Sequence, residues 1–299
     1  MSLCYSNRRS GGPLLDALRQ QVALNPKRRT IWLDDPPNLY RTDLQAHKYL
    51  GIMHTPQYSQ PFHQPLLNLL TEQASGILAD WPGTVSVVDL GPGHPDKSFP
   101  LLDFLRRQQQ LASYIAVDLN SYFLSVATEA ARPLCNSVAG IQTDFRTLPD
   151  VLDLYSPRQK ARRRLFILGL TFLNFRPRII MAILSRLVDA EDALLIATPI
   201  VDDRPSAQLL DPYYGSAVQE FARSSLTELG IADSSLDYDV RLNRIRIEVG
   251  FILRKHITFE NSQSVPAGTR IVTAVSYRYP RGALQRLVRK YFSVVTLYT

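Results

Sequence analysis

Val87-Val88-Asp89-Leu90-Gly91-Pro92-Gly93-His94-Pro95-Asp96-Lys97-Ser98 decides the fold of this chain. An apolar, β-branched run ends in an acid, turns through two glycines and leads into a helix, which is how a buried parallel strand feeds a ligand-binding turn. Glycine permits the sharp turn and lets the backbone approach a ligand closely, and the free N–H groups of the following helix face the same crevice. Tyr114-Ile115-Ala116-Val117-Asp118 then reads as a second buried strand ending in an acid. Its offset is close to the ~20 residues at which a carboxylate accepts from ribose hydroxyls. The third glycine of a dinucleotide fingerprint is missing, with Pro95 and Asp96 in its place, so the loop is read as taking a nucleoside without a pyrophosphate.

Outward from this loop, residues 85–201 alternate strand and helix, predicting an α/β fold with a Rossmann-like, doubly wound parallel sheet. Upstream, 13–24 is helical, with Leu14, Leu15, Leu18 and Val22 at helical spacing, and 66–78 is an amphipathic helix carrying Leu66, Leu67, Leu69, Leu70 and Ile77. The Pro-rich and aromatic stretch 31–65 between them reads as a poor core former that caps a site. A further helix occupies 178–188. After residue 203 the rhythm changes: 216–229 is helical, whereas 238–254 and 270–279 alternate with the two-residue period of exposed antiparallel strands. Arg244, Arg246 and Glu248 fall on one face there, and Ile245, Ile247 and Val249 on the other. The pattern is that of an inserted α+β lid, from which the chain returns through a helix at 282–290 and a strand at 293–298.

With 299 residues, 45% hydrophobic and 20% charged, the chain can bury a full core. No apolar run reaches the ~18 residues of a membrane span. No signal-like apolar segment follows Met1-Ser2-Leu3-Cys4-Tyr5-Ser6-Asn7-Arg8-Arg9, so no membrane partner and a cytoplasmic location are expected. Cys4 and Cys135 are too few for a disulfide framework and lack zinc-site spacing. His47, His54, His63, His94 and His256 show no metal-ligand pattern, so no metal is expected. Each is read as a surface or packing residue, His94 standing apart because it lies in the glycine loop. The formal charge of +7 raises the question of a nucleic-acid partner. The basic run Arg158-Gln159-Lys160-Ala161-Arg162-Arg163-Arg164 has no aromatic residues interleaved for base stacking, however, and reads as a solvated loop.

The two strand–loop units resemble class I S-adenosylmethionine (SAM) dependent methyltransferases. Gly91-x-Gly93 followed by Lys97-Ser98 and Leu101-Leu102-Asp103-x-Leu105 is similar to the histidine-specific N-α-methyltransferases of ergothioneine biosynthesis. Arg164-Leu165-Phe166-Ile167-Leu168-Gly169-Leu170-Thr171-Phe172-Leu173-Asn174-Phe175 resembles that family's fourth strand, Leu194 to Asp203 its fifth, and Thr273-Ala274-Val275-Ser276-Tyr277-Arg278-Tyr279 its late substrate-binding segment. The collinear order of these short motifs carries the likeness. It implies a division into an N-terminal helical part of a substrate domain (1–73), a SAM-binding core (74–201), an inserted substrate part (202–279) and a return to the core (280–299), with the closing strand of the sheet in question. The Asp-Pro-Pro-aromatic tetrad of nucleic-acid amino methyltransferases has near matches only at Asp35 and Asp211, both outside the fourth strand, and nucleic acid is not expected as a partner.

The resemblance implies SAM as co-substrate. Asp89 precedes the turn, Gly91 and Gly93 approach the methionine part, Lys97 reaches the SAM carboxylate or caps the loop, Asp118 holds the ribose diol, Asp144 takes the adenine amine, and Gly169 and Thr171 line the crevice. Asn174 and Tyr58 are the expected catalytic and substrate-binding residues, with Ser276 a further substrate contact. Two departures matter: Ala274 stands where the family has a glutamate, and Leu210 where it has a tyrosine. Without that carboxylate nothing anchors an imidazole ring. The expected reaction is therefore N-methylation of a small amino-acid-like amine other than histidine. Two alternatives stay open: 3-amino-3-carboxypropyl transfer or cyclisation to azetidine-2-carboxylate with release of methylthioadenosine, and a non-catalytic partner of the same fold.

Overall fold

The computed structural model describes residues 12–24, 29–78, 81, 83–135, 137–155, 162–201, 207–258 and 264–298. The chain forms two compact units, one of Met1–Cys4, Tyr58–Asp203 and Tyr279–Thr299, the other of Tyr5–Gln57 and Arg204–Arg278.

The first unit is built on five parallel strands: β1 (Thr84–Leu90), β2 (Leu111–Asp118), β3 (Val138–Gln142), β4 (Arg162–Leu168) and β5 (Ala193–Ile196), in the spatial order β3-β2-β1-β4-β5. Strands covered on both faces read as continuous apolar runs, and Val85, Val87, Val88 and Leu90 of β1 are fully buried. Helices Phe99–Arg107, Ser121–Ala131, Leu148–Tyr155 and Pro177–Leu187 connect successive strands. Asn120 starts the second of these, its side chain accepting from the Tyr122 N–H at 2.8 Å. The chain winds outward from β1 through β2 and β3, then crosses to β4 on the other side of β1. The crevice at the C-terminal ends of β1 and β4 is thus the topological switch point, where open α/β sheets bind ligands. Helix Gln64–Leu78 packs with this unit, against Phe99–Arg107. The unit boundary falls at Gln57/Tyr58, upstream of the expected division at 73.

The second unit holds a four-stranded sheet ordered Thr30–Trp32, Arg270–Tyr277, Arg246–Leu253, Leu236–Asn243; the first pair is parallel, the others antiparallel. Leu14, Leu18, Ile31, Leu33, Leu226 and Phe251 are among its core residues.

Three expectations need correction. The stretch 31–65 is no loose cap: Thr42 and Gln45 form a capping box that starts helix Asp43–Met53, and Ile31, Leu33, Leu39, Ala46, Ile52 and Met53 are buried. Of the alternating strands 238–254 and 270–279, Arg246–Leu253 and Arg270–Tyr277 are largely buried while Leu236–Asn243 stays half-exposed, and Arg244 leaves the ladder altogether as a left-handed turn residue with φ 57°. Their polar face closes on itself: Arg270 pairs with Glu248 at 2.7 Å and also with Asp239, while Arg246 bonds Glu248 and lies 4.5 Å over the Trp32 ring. Burial works against the Glu248 charge, yet hydrogen bonds from Arg246, Arg270 and Asn243 hold its carboxyl below the usual range. Finally, 293–298 forms no strand. Val294, Val295 and Thr296 favour extended backbone, but propensity without a partner does not make a ladder, and Val294 is 85% exposed. Among the described residues β5 is paired only to β4.

Breaking the buried Glu248–Arg270 pair strands a charge. Glu248→Gln is expected to cost on the order of 3 kcal/mol, seen as a lower denaturant midpoint with unchanged slope.

The Met1–Arg9 segment, Cys4, Asp202, Asp203 and residues 158–161 of the basic run lie outside the described residues. Of the remaining run, Arg164 is buried and pairs with Asp153 at 2.6 Å, and Arg163 meets Glu191 at 3.2 Å. Both guanidinium groups are therefore occupied within the protein. Among the described residues no helix is long and apolar enough to cross a membrane.

Candidate active site

At the end of β1 the chain turns through Gly91 (φ 65°) and Gly93 (φ 55°), both left-handed and costly for any other residue. The Gly91 N–H donates to the Val117 carbonyl of β2 at 2.8 Å, and the Thr171 hydroxyl donates to the Gly91 carbonyl at 3.3 Å. A Cβ on Gly91 would stand 2.8 Å from the Thr171 Oγ1. Thr171 belongs to the 3-10 turn Leu170–Asn174 that follows β4, so the loops after β1 and β4 lock together across the switch point.

Around this junction the structure gathers three buried charged groups. Asp89 accepts from the Ser98 hydroxyl and, at 3.0 Å, from the Tyr114 hydroxyl, and burial raises its pKa against the opposing pull of Lys97. Asp89 thereby ties the glycine loop and the start of the next helix to β2. Asp118, at the tip of β2, accepts from the Asn120 N–H at 2.9 Å. Burial pushes its carboxyl up to about 7, against the backbone N–H groups of Asn120 and Leu119. Lys97 is the third. Its ammonium lies so close above Gly169 that a Cβ there would be 2.8 Å from Nζ, and glycine is what leaves the lysine room. Burial depresses the Lys97 pKa, while Asp89, Asp118 and Asp96 oppose that shift. Among the described residues, no carboxylate comes within ion-pair distance of it. A buried cation without a close anion is costly unless a ligand supplies one, and this one sits in the glycine cradle at the switch point.

The remaining expected residues are placed as follows. Asp144 follows Thr143, whose N–H bonds the Asp118 carbonyl at 3.0 Å. Its carboxylate is already gripped by Arg146, Nε to Oδ1 at 2.9 Å and a terminal nitrogen to Oδ2 at 2.5 Å, so an adenine contact would share an engaged group. Phe145 beside it is buried and stacks on Phe175 at 5.7 Å. Asn174 ends the same turn as Thr171, and it does not cap helix Pro177–Leu187, which starts at Arg176 without any side-chain cap. Tyr58 leads into the π-turn Ser59–His63, its ring 5.1 Å from that of Phe62. Ser276 lies in the second unit, where its hydroxyl accepts from Arg278 at 2.8 Å.

The glycine loop contains a feature that composition and spacing do not single out. Asp96 is flanked by two imidazoles, His94 Nδ1 at 2.8 Å and His63 Nε2 at 3.6 Å. His63 is a buried group and no mere surface residue. The His94-x-Asp96 spacing was visible in the sequence, whereas His63, some thirty residues away, was not connected to it. Among the described residues no group of three or more potential metal ligands forms.

A family model described as histidine-specific methyltransferase, SAM-dependent, matches residues 46–299. The chain belongs to this family. It is accordingly a SAM-dependent transferase, and SAM is its co-substrate. The residues at the switch point suit that family's ligand: the unpaired Lys97 ammonium calls for a carboxylate, and Asp118 offers a carboxyl at the tip of β2. Solved structures show low similarity spread over most of the chain. The SAH-bound methyltransferase PaMTH1 of Podospora anserina has 10% identity, covering 80% of this chain and 94% of its own, with a TM-score of 0.34. The N-methyltransferase NodS of Bradyrhizobium japonicum has 11% identity over 73% of this chain and 99% of its own, also with a TM-score of 0.34. No curated protein matches the chain in sequence.

Proposed function

We propose that this family member transfers the methyl group of SAM to the amino nitrogen of an amino acid or related small amine other than histidine. SAM supplies a methyl carbon on a sulfonium whose departure leaves a neutral sulfur, so the protein chiefly positions the nucleophile and keeps it unprotonated. Lys97 would hold the carboxylate, Asp118 the ribose diol, Gly91, Gly93, Gly169 and Thr171 the walls of the crevice, and Asp144 the adenine edge. Asp89 acts by holding the loop to β2. Asn174, on the turn that also carries Thr171, would bind the acceptor's polar head together with Tyr58.

The observation that carries the choice of acceptor is the strand around Ser276. There Ala274 pairs opposite Val249, with a methyl group where the family has a glutamate. A site built to bind imidazole by a charged hydrogen bond loses about 1.5–3 kcal/mol with that carboxylate. The same departure supports a second reading. Cyclisation of SAM's own aminocarboxypropyl arm needs no separate acceptor anchor, and it releases methylthioadenosine. The two readings are separated by the nucleoside product formed with and without an amine pool.

A further inference from the structure

The glycine loop and the turn ahead of helix Gln64–Leu78 bring together three titratable side chains that neither nucleoside binding nor packing explains. Asp96 lies in the 3-10 turn Pro95–Lys97, with His94 immediately before it and His63 reaching it from the π-turn Ser59–His63. All three belong to the same unit. The His94 side chain is 32% exposed and that of His63 only 11%, so the two rings face different surroundings.

From this geometry we infer that His94, held by Asp96, is the proton acceptor for the ammonium group of the nucleophile, with His63 a positioning residue behind the carboxylate. The inference rests on the proposed amine chemistry and deepens it. An amine is protonated near neutral pH and has no lone pair to offer, so a base must take one proton. The ammonium N–H bond breaks, the electron pair stays on the amine nitrogen and the proton binds His94 Nε2. The resulting imidazolium then gives its proton to water at its exposed edge.

Three observations assign the roles. His94 turns Nδ1 to the carboxylate at 2.8 Å, a close ion-pair contact with the N–H off the ideal line, and this leaves Nε2 as the outer nitrogen. Among the described residues nothing hydrogen-bonds that nitrogen. His63 presents Nε2 to Asp96 and keeps a buried Nδ1 with no partner, so charging this ring would bury an orphan N–H. Burial, then Lys97, pulls the His63 pKa below its ordinary value, with His94 acting the same way and Asp96 opposing. His94 is thus the more exposed of the two rings, with one nitrogen against the carboxylate and the other open to a substrate. The other charged group of the turn is Lys97. The helices packed on that turn, Gln64–Leu78, Phe99–Arg107 and Ser121–Ala131, carry Glu72, Asp103, Arg106, Arg107, Tyr122 and Glu129 as their ionisable residues, and Asp103 is held by Arg106 and Arg107.

The test uses the full chain with SAM and an accepted amine, reading product formation against pH, SAM affinity by calorimetry and the imidazole resonances by NMR. His94→Gln is expected to lower turnover on the order of a hundredfold or more and to move the acidic limb of the pH profile upward, to where the amine ionises unaided, with SAM affinity within about twofold of the parent. Asp96→Asn should move that limb and the His94 imidazole resonances together, a coupled movement that a merely structural role would not produce. An acidic limb that keeps its parent position in His94→Gln overturns the inference, as does a His94 resonance insensitive to Asp96→Asn. The latter is read without activity, so it decides even if His94→Gln fails to fold. If the parent yields methylthioadenosine from SAM alone, amine methylation falls, and the resonance titrations still judge the His94–Asp96 pair separately.

Discussion

Asp118→Ala is expected to lose SAM binding, with affinity falling on the order of a hundredfold or more in calorimetry. The carboxyl stands at the tip of β2, one strand from the glycine loop, where a ribose diol would present two hydroxyls. Charge-assisted hydrogen bonds contribute about 1.5–3 kcal/mol each, and each 1.4 kcal/mol is a factor of about ten in affinity. Equal affinity in the variant and the parent would remove Asp118 from the site. The same residue makes a stability prediction of opposite sign. Burial raises its pKa from 3.8 to about 7, so the folded state holds its proton more tightly than the unfolded chain. That contribution is fully present below the unfolded value and is lost as pH rises through about 7. Asp118→Asn, which keeps an acceptor for the Asn120 N–H, should therefore flatten the decline in stability between pH 5 and pH 8 while still failing to bind SAM. Urea midpoints at the two pH values read the difference directly.

Asn174→Ala is expected to separate turnover from co-substrate binding. Asn174 follows Thr171 at the end of the turn after β4. Its loss should lower kcat/KM for the amine on the order of a hundredfold while SAM affinity changes little. A matching fall in SAM affinity would show that Asn174 shapes the nucleoside crevice instead.

How much of this was legible in the sequence depended on whether a signal was local. The β1–loop–helix unit could be read because a parallel strand buried on both faces leaves an unbroken apolar run and the turn demands glycine at Gly91 and Gly93. The switch-point crevice followed from the strand order such units impose. By contrast, Glu248 and Arg246 looked like a solvent face, because an alternating pattern does not reveal that Arg270 from another strand and Trp32 from the N-terminal segment cover it. Residues 293–298 looked like a strand, because β-branched residues report local preference and not the presence of a pairing partner. Lys97 showed the same limit at the site. A lysine at a helix start is often solvated, and only the fold reveals that it is buried over Gly169 between acids. Asp144 matched its motif, yet its pairing with Arg146, two residues on, emerged only in three dimensions.

The fate of SAM separates these chemistries. Purified protein should be incubated with SAM alone and with a pool of amino acids and small amines, and the nucleoside product identified by mass spectrometry. S-adenosylhomocysteine that accumulates only with the pool, together with a methylated amine other than histidine, is the predicted result. Methylthioadenosine formed from SAM alone would contradict methyl transfer and establish chemistry at the aminocarboxypropyl arm instead.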